Sequence, residues 1–231
     1  MRRISRYLPL LIGLFCCLQF ASAQSQFDLN IGFGAAQDKA ASGQIDQALN
    51  PCTTLDLYPP CVSTPSLSAF MMGFGGDLML WKKFGVGADI AFQPGKQTYV
   101  DLNSSAAASG LNSLSLKSRV TFYDFDGILQ PVNTKKVGIK IRGGIGGANL
   151  KFYEAGSASN SVIGSQNYTQ YYASSNHFSV NGGVGVQIYL TDHIYLRPEF
   201  DVHYVHNLSQ YGSNVVKQEM VWLGYSWGDR P

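Results

Sequence analysis

Five stretches of this chain alternate residue by residue between an apolar and a polar side. That period of two limits the possible folds more than any other feature. Phe27, Leu29, Ile31, Phe33 and Ala35 fall on one side, with Gln26, Asp28, Asn30, Gly32 and Gly34 on the other. Phe84, Val86, Ala88, Ile90 and Phe92 repeat the pattern. So do Phe178, Val180, Val184, Val186, Ile188 and Leu190, then Ile194, Leu196, Phe200, Val202 and Tyr204, and finally Val221, Leu223, Tyr225 and Trp227. Successive side chains of a strand point to opposite faces, so these are strands with one apolar face each. Beyond residue 24 no apolar run reaches 18 residues, which excludes a membrane-crossing helix there.

The pattern predicts eight strands, over 26–35, 67–79, 84–93, 116–128, 137–152, 176–190, 194–207 and 216–227. The connections are 31, 4, 22, 8, 23, 3 and 8 residues long, so long and short mostly take turns. A soluble sandwich has no reason to do that. A barrel crossing an outer membrane does, because its periplasmic turns are short and its extracellular loops long. A lipocalin-like barrel, apolar inside and charged outside, would need far more Lys and Glu than a chain with 14% charged residues supplies. The predicted fold is therefore all-β: an eight-stranded antiparallel up-and-down transmembrane β-barrel, greasy outside and polar within. It must close, because an unpaired backbone edge in hydrocarbon costs several kcal/mol per group.

The first 23 residues read as an export signal. Arg2, Arg3 and Arg6 precede an apolar run from Leu8 to Phe20, and Ala21-Ser22-Ala23 ends before Gln24. Cleavage is expected between Ala23 and Gln24, leaving residues 24–231 as one barrel domain. Phe15, bulky ahead of Cys16 and Cys17, argues against a lipoprotein. Removing the segment takes three arginines from 17 basic residues set against 15 acidic ones. The mature chain is then slightly acidic, and nucleic acid is not expected as a partner. Export leaves Cys52 and Cys61, an even number in an oxidising compartment, which suggests a disulfide contributing about 2–3 kcal/mol. No histidine lies near them, so a metal site there is unsupported. The glycine clusters form neither nucleotide-binding pattern, and no cofactor is expected.

Together the export signal, Phe122-Tyr123-Asp124-Phe125-Asp126-Gly127, Ile194-Tyr195-Leu196-Arg197-Pro198-Glu199-Phe200 and Trp222-Leu223-Gly224-Tyr225-Ser226-Trp227 resemble the small outer-membrane β-barrel superfamily. That group includes porin-like proteins and the barrel domain of OmpA-type proteins. The resemblance covers most of residues 25–227. It implies the bacterial outer membrane as location, with its lipid and lipopolysaccharide and the barrel-assembly machinery as partners. It also implies that Tyr225 and Trp227 serve as the terminal-strand assembly signal.

Strand parity sends a set of charges into the lumen. Asp89, Asp124, Arg142 and Glu199 are expected near mid-height, and Asp77, Asp126, Lys140 and Arg197 nearer the periplasmic end. Such charges can pair and plug the tube or line a narrow water path. His203, His206, Ser209 and Glu219 are the best set for a lipid-modifying enzyme. However, His206 and Ser209 are three apart and point to opposite faces, so no catalytic role is expected. Trp81, Phe84, Tyr195, Trp222, Tyr225 and Trp227 are read mostly as interfacial girdles. His177 and His193 are expected at strand rims or turns. Tyr168, Tyr171 and Tyr172 fall in a long connection rich in Ser and Asn, a composition that suits contact with an extracellular ligand. Segments 104–115 and 156–165 read as loops. The functional expectation is a structural or adhesion-like surface barrel. A narrow channel for ions or very small solutes is the alternative, and a lipid A-modifying enzyme the third reading.

Overall fold

A computed structural model of the chain describes residues 26–38, 68–101, 113–160, 164–208 and 213–228. The export segment with Ala23 and Gln24, the Cys52 and Cys61 pair, and Ser209 lie outside the described residues. The described residues form nine strands: β1 (Gln26–Asp38), β2 (Ala69–Met79), β3 (Phe84–Phe92), β4 (Gln97–Asp101), β5 (Ser113–Asn133), β6 (Val137–Asn160), β7 (Gly164–Tyr189), β8 (Ile194–Val205) and β9 (Val215–Trp227). All neighbours pair antiparallel, in the order β3-β2-β1-β9-β8-β7-β6-β5-β4, and a β3–β5 pairing closes the cylinder. Both β3 and β4 lie along β5, at Phe84↔Leu129 to Phe92↔Thr121 and at Gln97↔Ser118 to Asp101↔Ser115. They are two parts of one stave, so nine strands build an eight-stranded barrel. Pro94 and Gly95 interrupt that stave. There the Gln93 side chain accepts a hydrogen bond from the Val120 amide at 3.0 Å, occupying one donor near the break.

Three tight turns and both described chain ends share one end of the barrel, here the turn end. Thr134 Oγ1 accepts from the Val137 amide at 3.0 Å, and Thr191 Oγ1 accepts from the Ile194 amide at 3.0 Å. Short hydroxyl side chains fold back on their own backbone in this way, which suits them to two-strand reversals. First and last strands join in continuous register from Phe27↔Trp227 to Asp38↔Val216.

The strand ends differ from the sequence reading mainly at the opposite, hairpin end. Of the span 153–175, expected as a long loop, residues 153–160 continue β6 and 164–175 continue β7, paired from a register shift at Phe152/Tyr153 out to Asn160↔Gly164. The loops expected over 104–115 and 156–165 give way in part to strand, since β5 starts at Ser113 and β6 runs to Asn160. The reason is physical. Outside the hydrocarbon neither face of a strand has to be apolar, so the backbone ladder goes on where the alternation of hydrophobicity stops.

Side-chain burial settles which face is which. Phe125, Ile145 and Phe27 are 64%, 57% and 41% exposed, whereas Asp77, Lys140 and Arg197 are 1%, 0% and 0% exposed. Ile31, Ile90 and Val186 also point outward. An exposed apolar wall of this kind running around a closed sheet is a surface for lipid.

The lumen is less uniformly polar than the alternation suggested. Its hairpin-end half holds an apolar core of Met71, Val120, Phe122, Leu150, Val205, Leu208, Val216, Met220 and Trp222. Trp222 and Tyr195, read above as interfacial, are instead buried inside. Each alternates with an outward neighbour, Leu223 and Ile194, and so must turn inward. The Trp222 indole rests on two glycines. A Cβ on Gly32 would lie 2.5 Å from its Cε3, and one on Gly73 would lie 2.6 Å from its Cη2. Gly32→Val is therefore expected to lower barrel stability by about 1–3 kcal/mol. The readout is the temperature at which the protein loses its folded, fast-migrating form on gels. An unchanged midpoint would mean that the indole can move aside.

Candidate functional site

The turn-end half of the lumen is built around three basic side chains. Lys140 on β6 donates to Asp28 Oδ2 at 2.6 Å and to Asp77 Oδ2 at 2.8 Å. Arg197 on β8 donates to the same Asp77 oxygen at 2.6 Å, and its Nε lies 2.9 Å from Glu199 Oε2. Arg142, two residues along β6 from Lys140, is the hub. Its Nε donates to Asp126 Oδ2 at 2.9 Å and its Nη1 to Glu199 Oε1 at 3.3 Å. Its Nη2 pairs with Asp89 and lies 3.8 Å from Asp77 Oδ1. A bare backbone makes room for this crowding, since a Cβ on Gly87 would stand 2.7 Å from Asp77 Oδ1.

The charges couple almost every stave. Asp28, Asp77, Asp89, Asp126, Arg142 and Glu199 come from β1, β2, β3, β5, β6 and β8. From β7, Asn181 Nδ2 donates to Asp126 Oδ1 at 2.7 Å and Gln187 Nε2 to Asp28 Oδ2 at 3.4 Å. From β9, the Trp222 ring centroid lies 5.7 Å from Arg197 Cζ. At the turn end, Gln26 Nε2 donates to Asp28 Oδ1 and to the Tyr189 hydroxyl, each at 3.0 Å. Removing charges from water is costly, so a buried ion has to be met by opposite charge and hydrogen bonds.

Of the residues singled out from the sequence, Asp77, Asp89, Asp126, Lys140, Arg142, Arg197 and Glu199 meet in this cluster. Asp124 sits beside it. Its Oδ2 is 3.1 Å from His203 Nε2, and the His203 ring stacks on Phe122 with centroids 4.8 Å apart. The sequence-derived charge set lacks Asp28, Asp201 and His203, all buried. Their signal is present in the alternation. Asp28 shares the polar side of β1 with Asn30, and Asp201 and His203 share the inward parity of Glu199 on β8. Counted over the described residues, seven carboxylates (Asp28, Asp77, Asp89, Asp124, Asp126, Glu199 and Asp201) share the lumen with three fixed cations and His203.

The described members of the enzyme set, His203, His206 and Glu219, do not converge. His203 is buried in the lumen, His206 is exposed, and Glu219 projects from the outer wall of β9. Among the described residues no cluster of three or more His, Cys, Asp or Glu side chains has an arrangement to hold a metal ion. His177 lies in β7, where Nδ1 is 3.0 Å from the His206 carbonyl oxygen and Nε2 is 2.9 Å from Ser175 Oγ. His193 occupies the β7–β8 turn and stacks on Tyr225 at 5.3 Å. Tyr225 and Trp227 face outward at the turn end, with ring centroids 4.5 Å apart, and Trp227 stacks on Phe27 at 5.7 Å.

At the other end the β6–β7 hairpin carries tyrosines. Tyr153 and Tyr171 meet edge to face at 5.9 Å, and the Tyr168 hydroxyl donates to Glu154 Oε1 at 2.9 Å. That carboxylate acceptor pushes the Tyr168 phenol above its ordinary pKa.

Known proteins share this architecture. The sequence profile of the outer membrane protein beta-barrel domain family matches residues 8–227. A major outer membrane protein from Thermus thermophilus superposes with a TM-score of 0.54 at 11% identity, over 88% of this chain and 99% of its own. Ail of Yersinia pestis, solved in complex with the heparin analogue sucrose octasulfate, gives 0.48 at 12% identity, over 88% of this chain and 99% of its own. OprG of Pseudomonas aeruginosa gives 0.45 at 14%, over 90% and 97%. No curated protein matches the chain in sequence.

Proposed function

Because the chain belongs to the outer membrane protein beta-barrel domain family, we propose that it is a structural and surface-interaction barrel of the bacterial outer membrane. In this reading it is not a solute channel and not an enzyme. The carrying observation is a filled lumen: Trp222, Arg197, Tyr195, Phe122, Lys140 and Met71 are all fully buried within it. An eight-stranded barrel is just wide enough for side chains to fill, and these do. The turn end with both strand termini faces the periplasm and the hairpin end faces outward. Residues 1–23 direct export, Ala23 and Gln24 flank the cleavage site, and 24–231 form the barrel domain. Cys52 and Cys61 close a disulfide, and Tyr225 and Trp227 present the last strand to the assembly machinery.

The outward reach belongs to β6 and β7, 24 and 26 residues long. About 9–11 tilted residues cross the hydrocarbon, so more than ten residues of each strand stand beyond it. That hairpin, with Tyr153, Tyr168 and Tyr171, is the surface offered to an extracellular ligand. Cells expressing the protein with residues 153–171 replaced by a tight turn should keep a heat-modifiable barrel and lose binding to a host-cell or matrix surface that wild type binds. Equal binding by both would overturn the contact role.

The narrow-channel reading has one observation of its own, the charged turn-end half of the lumen. Planar-bilayer recording separates the two. The filled lumen predicts no steady current from wild type, and a reproducible unitary current would favour the channel.

A further inference from the structure

One acid faces lipid. The outward row of β9 runs Trp227, Tyr225, Leu223, Val221, Glu219, Lys217, Val215 from the turn end, and every one of these residues is exposed. Ladder pairs carry the Glu219 level around the wall as Phe70↔Ala35, Ala35↔Glu219, Glu219↔Phe200, Phe200↔Val184 and Val184↔Ile141. Phe70, Phe200, Val184 and Ile141 are exposed hydrophobics of the lipid-facing belt. The belt also continues past Glu219 on the neighbouring strand, where Val202 pairs with Lys217 and Tyr204 with Val215.

Depth along the strand agrees. Glu219 stands six residues above Tyr225. That is about 15 Å on a tilted strand, inside an apolar band about 25 Å tall. A charge on the lipid face is destabilising, and more so toward mid-depth. Neither Glu219 nor Lys217 has an ion-pair or hydrogen-bond partner for its side chain among the described residues. Beside Glu219 the wall is dented. A hollow of about 540 Å³ lies among Phe33, Ala35, Val186, Pro198, Phe200 and Val221, where the small Ala35 and the compact Pro198 ring sit between two phenylalanines.

The charges select the occupant. An acyl chain can fill the hollow but brings no positive charge to that depth. A second copy, inserted in the same direction, presents the same row at the same height. Its patch holds one acid and one base, so under a two-fold axis along the membrane normal it complements itself. Polar side chains shared between neighbours are a recognised glue where no water competes.

We propose that the wall of β1, β9 and β8 docks a second copy of the chain, with Glu219 of each facing the partner's Lys217 and with Phe33 and Phe200 flanking the contact. The proposal goes beyond the surface role above and does not depend on which end of the barrel faces outward.

The test uses the refolded full chain in density-matched zwitterionic micelles, with mass read by sedimentation equilibrium over a range of protein-to-detergent ratios. Wild type is expected to show a monomer–dimer equilibrium. Glu219→Lys and Lys217→Glu each set like charges across the contact and should dimerise at least roughly tenfold more weakly. The double swap Glu219→Lys/Lys217→Glu should dimerise like wild type. So should an equimolar mixture of the two single variants, because each then supplies the charge the other needs. Lys135→Glu/Lys136→Glu, at the turn end, should leave dimerisation unchanged.

A wild type that is monomeric at every ratio overturns the proposal, as does a mass that keeps rising with concentration, which would mean an open assembly. Single variants that dimerise as wild type does overturn it too. If both single variants are monomeric and their mixture stays so, the two side chains do not face each other across copies. Heat-modifiable gel mobility checks each variant for folding. If Glu219→Lys does not fold, Glu219→Gln, close in shape, takes its place, and dimerisation equal to wild type again overturns the contact.

Discussion

Arg142→Ala is expected to lower the stability of the barrel by about 3–5 kcal/mol, the cost of stranding buried charge by removing its partner. The guanidinium meets Asp89, Asp126 and Glu199 and lies 3.8 Å from Asp77, and no other cation touches Asp89 or Asp126 in the described network. Deleting it leaves those two carboxylates facing each other in a lumen that already holds more acid than base. Glu199 and Asp77 retain Arg197, at 2.9 Å and 2.6 Å, so the network should shrink toward Lys140 and Arg197 and not vanish. Arg142→Lys should recover only part of the loss. An ammonium is a point charge, and a planar fork reaching four carboxylates is not replaced by it. The measurement is the temperature at which the folded, fast-migrating form disappears on gels. If alanine and wild type unfold together, the charge cluster does not hold the staves. A second readout separates holding from plugging. Arg142→Ala should still carry no current in a planar bilayer, because the apolar half of the lumen stays shut.

How far the residues announce this arrangement depends on what surrounds each strand. Where lipid touches one face, the alternation is sharp, and stretches such as Phe27 to Ala35 or Phe84 to Phe92 display both strand and direction. Parity then carries inward the charges that alternate with the lipid-facing residues, which is why Lys140, Arg142 and Arg197 can be placed from the alternation alone. The signal weakens where lipid stops. Residues 153–160 and 164–175 have polar, small and tyrosine side chains on both faces, so their pairing in β6 and β7 rests on backbone hydrogen bonds that no hydropathy pattern records. It also weakens inside the lumen, where no rule requires polarity. Trp222 looks like an interfacial tryptophan by type, and only its alternation with Leu223, together with Gly32 and Gly73 opposite, marks it as an inward residue. Contacts such as those of Arg142 with Asp89 and Asp126 depend on stagger between strands far apart in sequence, and spacing along the chain cannot supply that.

Trp222→Ala is the change expected to alter function most, because it removes the largest fully buried side chain in the lumen. Truncating a packed tryptophan costs about 3–5 kcal/mol, through lost burial and the cavity left behind. Collapse around that cavity is limited, since the indole sits on Gly32 and Gly73, which have no side chains to swing in. The space should therefore persist beside Arg197, whose guanidinium carbon lies 5.7 Å from the indole centroid. Above it remain Met71, Val216 and Met220 at the hairpin end; below it lies the charged half. Adding Met220→Ala should join the two. In planar bilayers wild type is expected to be silent, Trp222→Ala to flicker, and Trp222→Ala/Met220→Ala to hold a steady current. The sign of selectivity follows from the wall. Seven carboxylates against three fixed cations favour a cation over an anion, as acidic rings do in cation channels. Under a salt gradient the reversal potential should move toward the cation equilibrium value. A silent double variant that is still heat-modifiable would show that something other than Trp222 and Met220 closes the tube. An anion-selective current would mean that the carboxylates do not line its path.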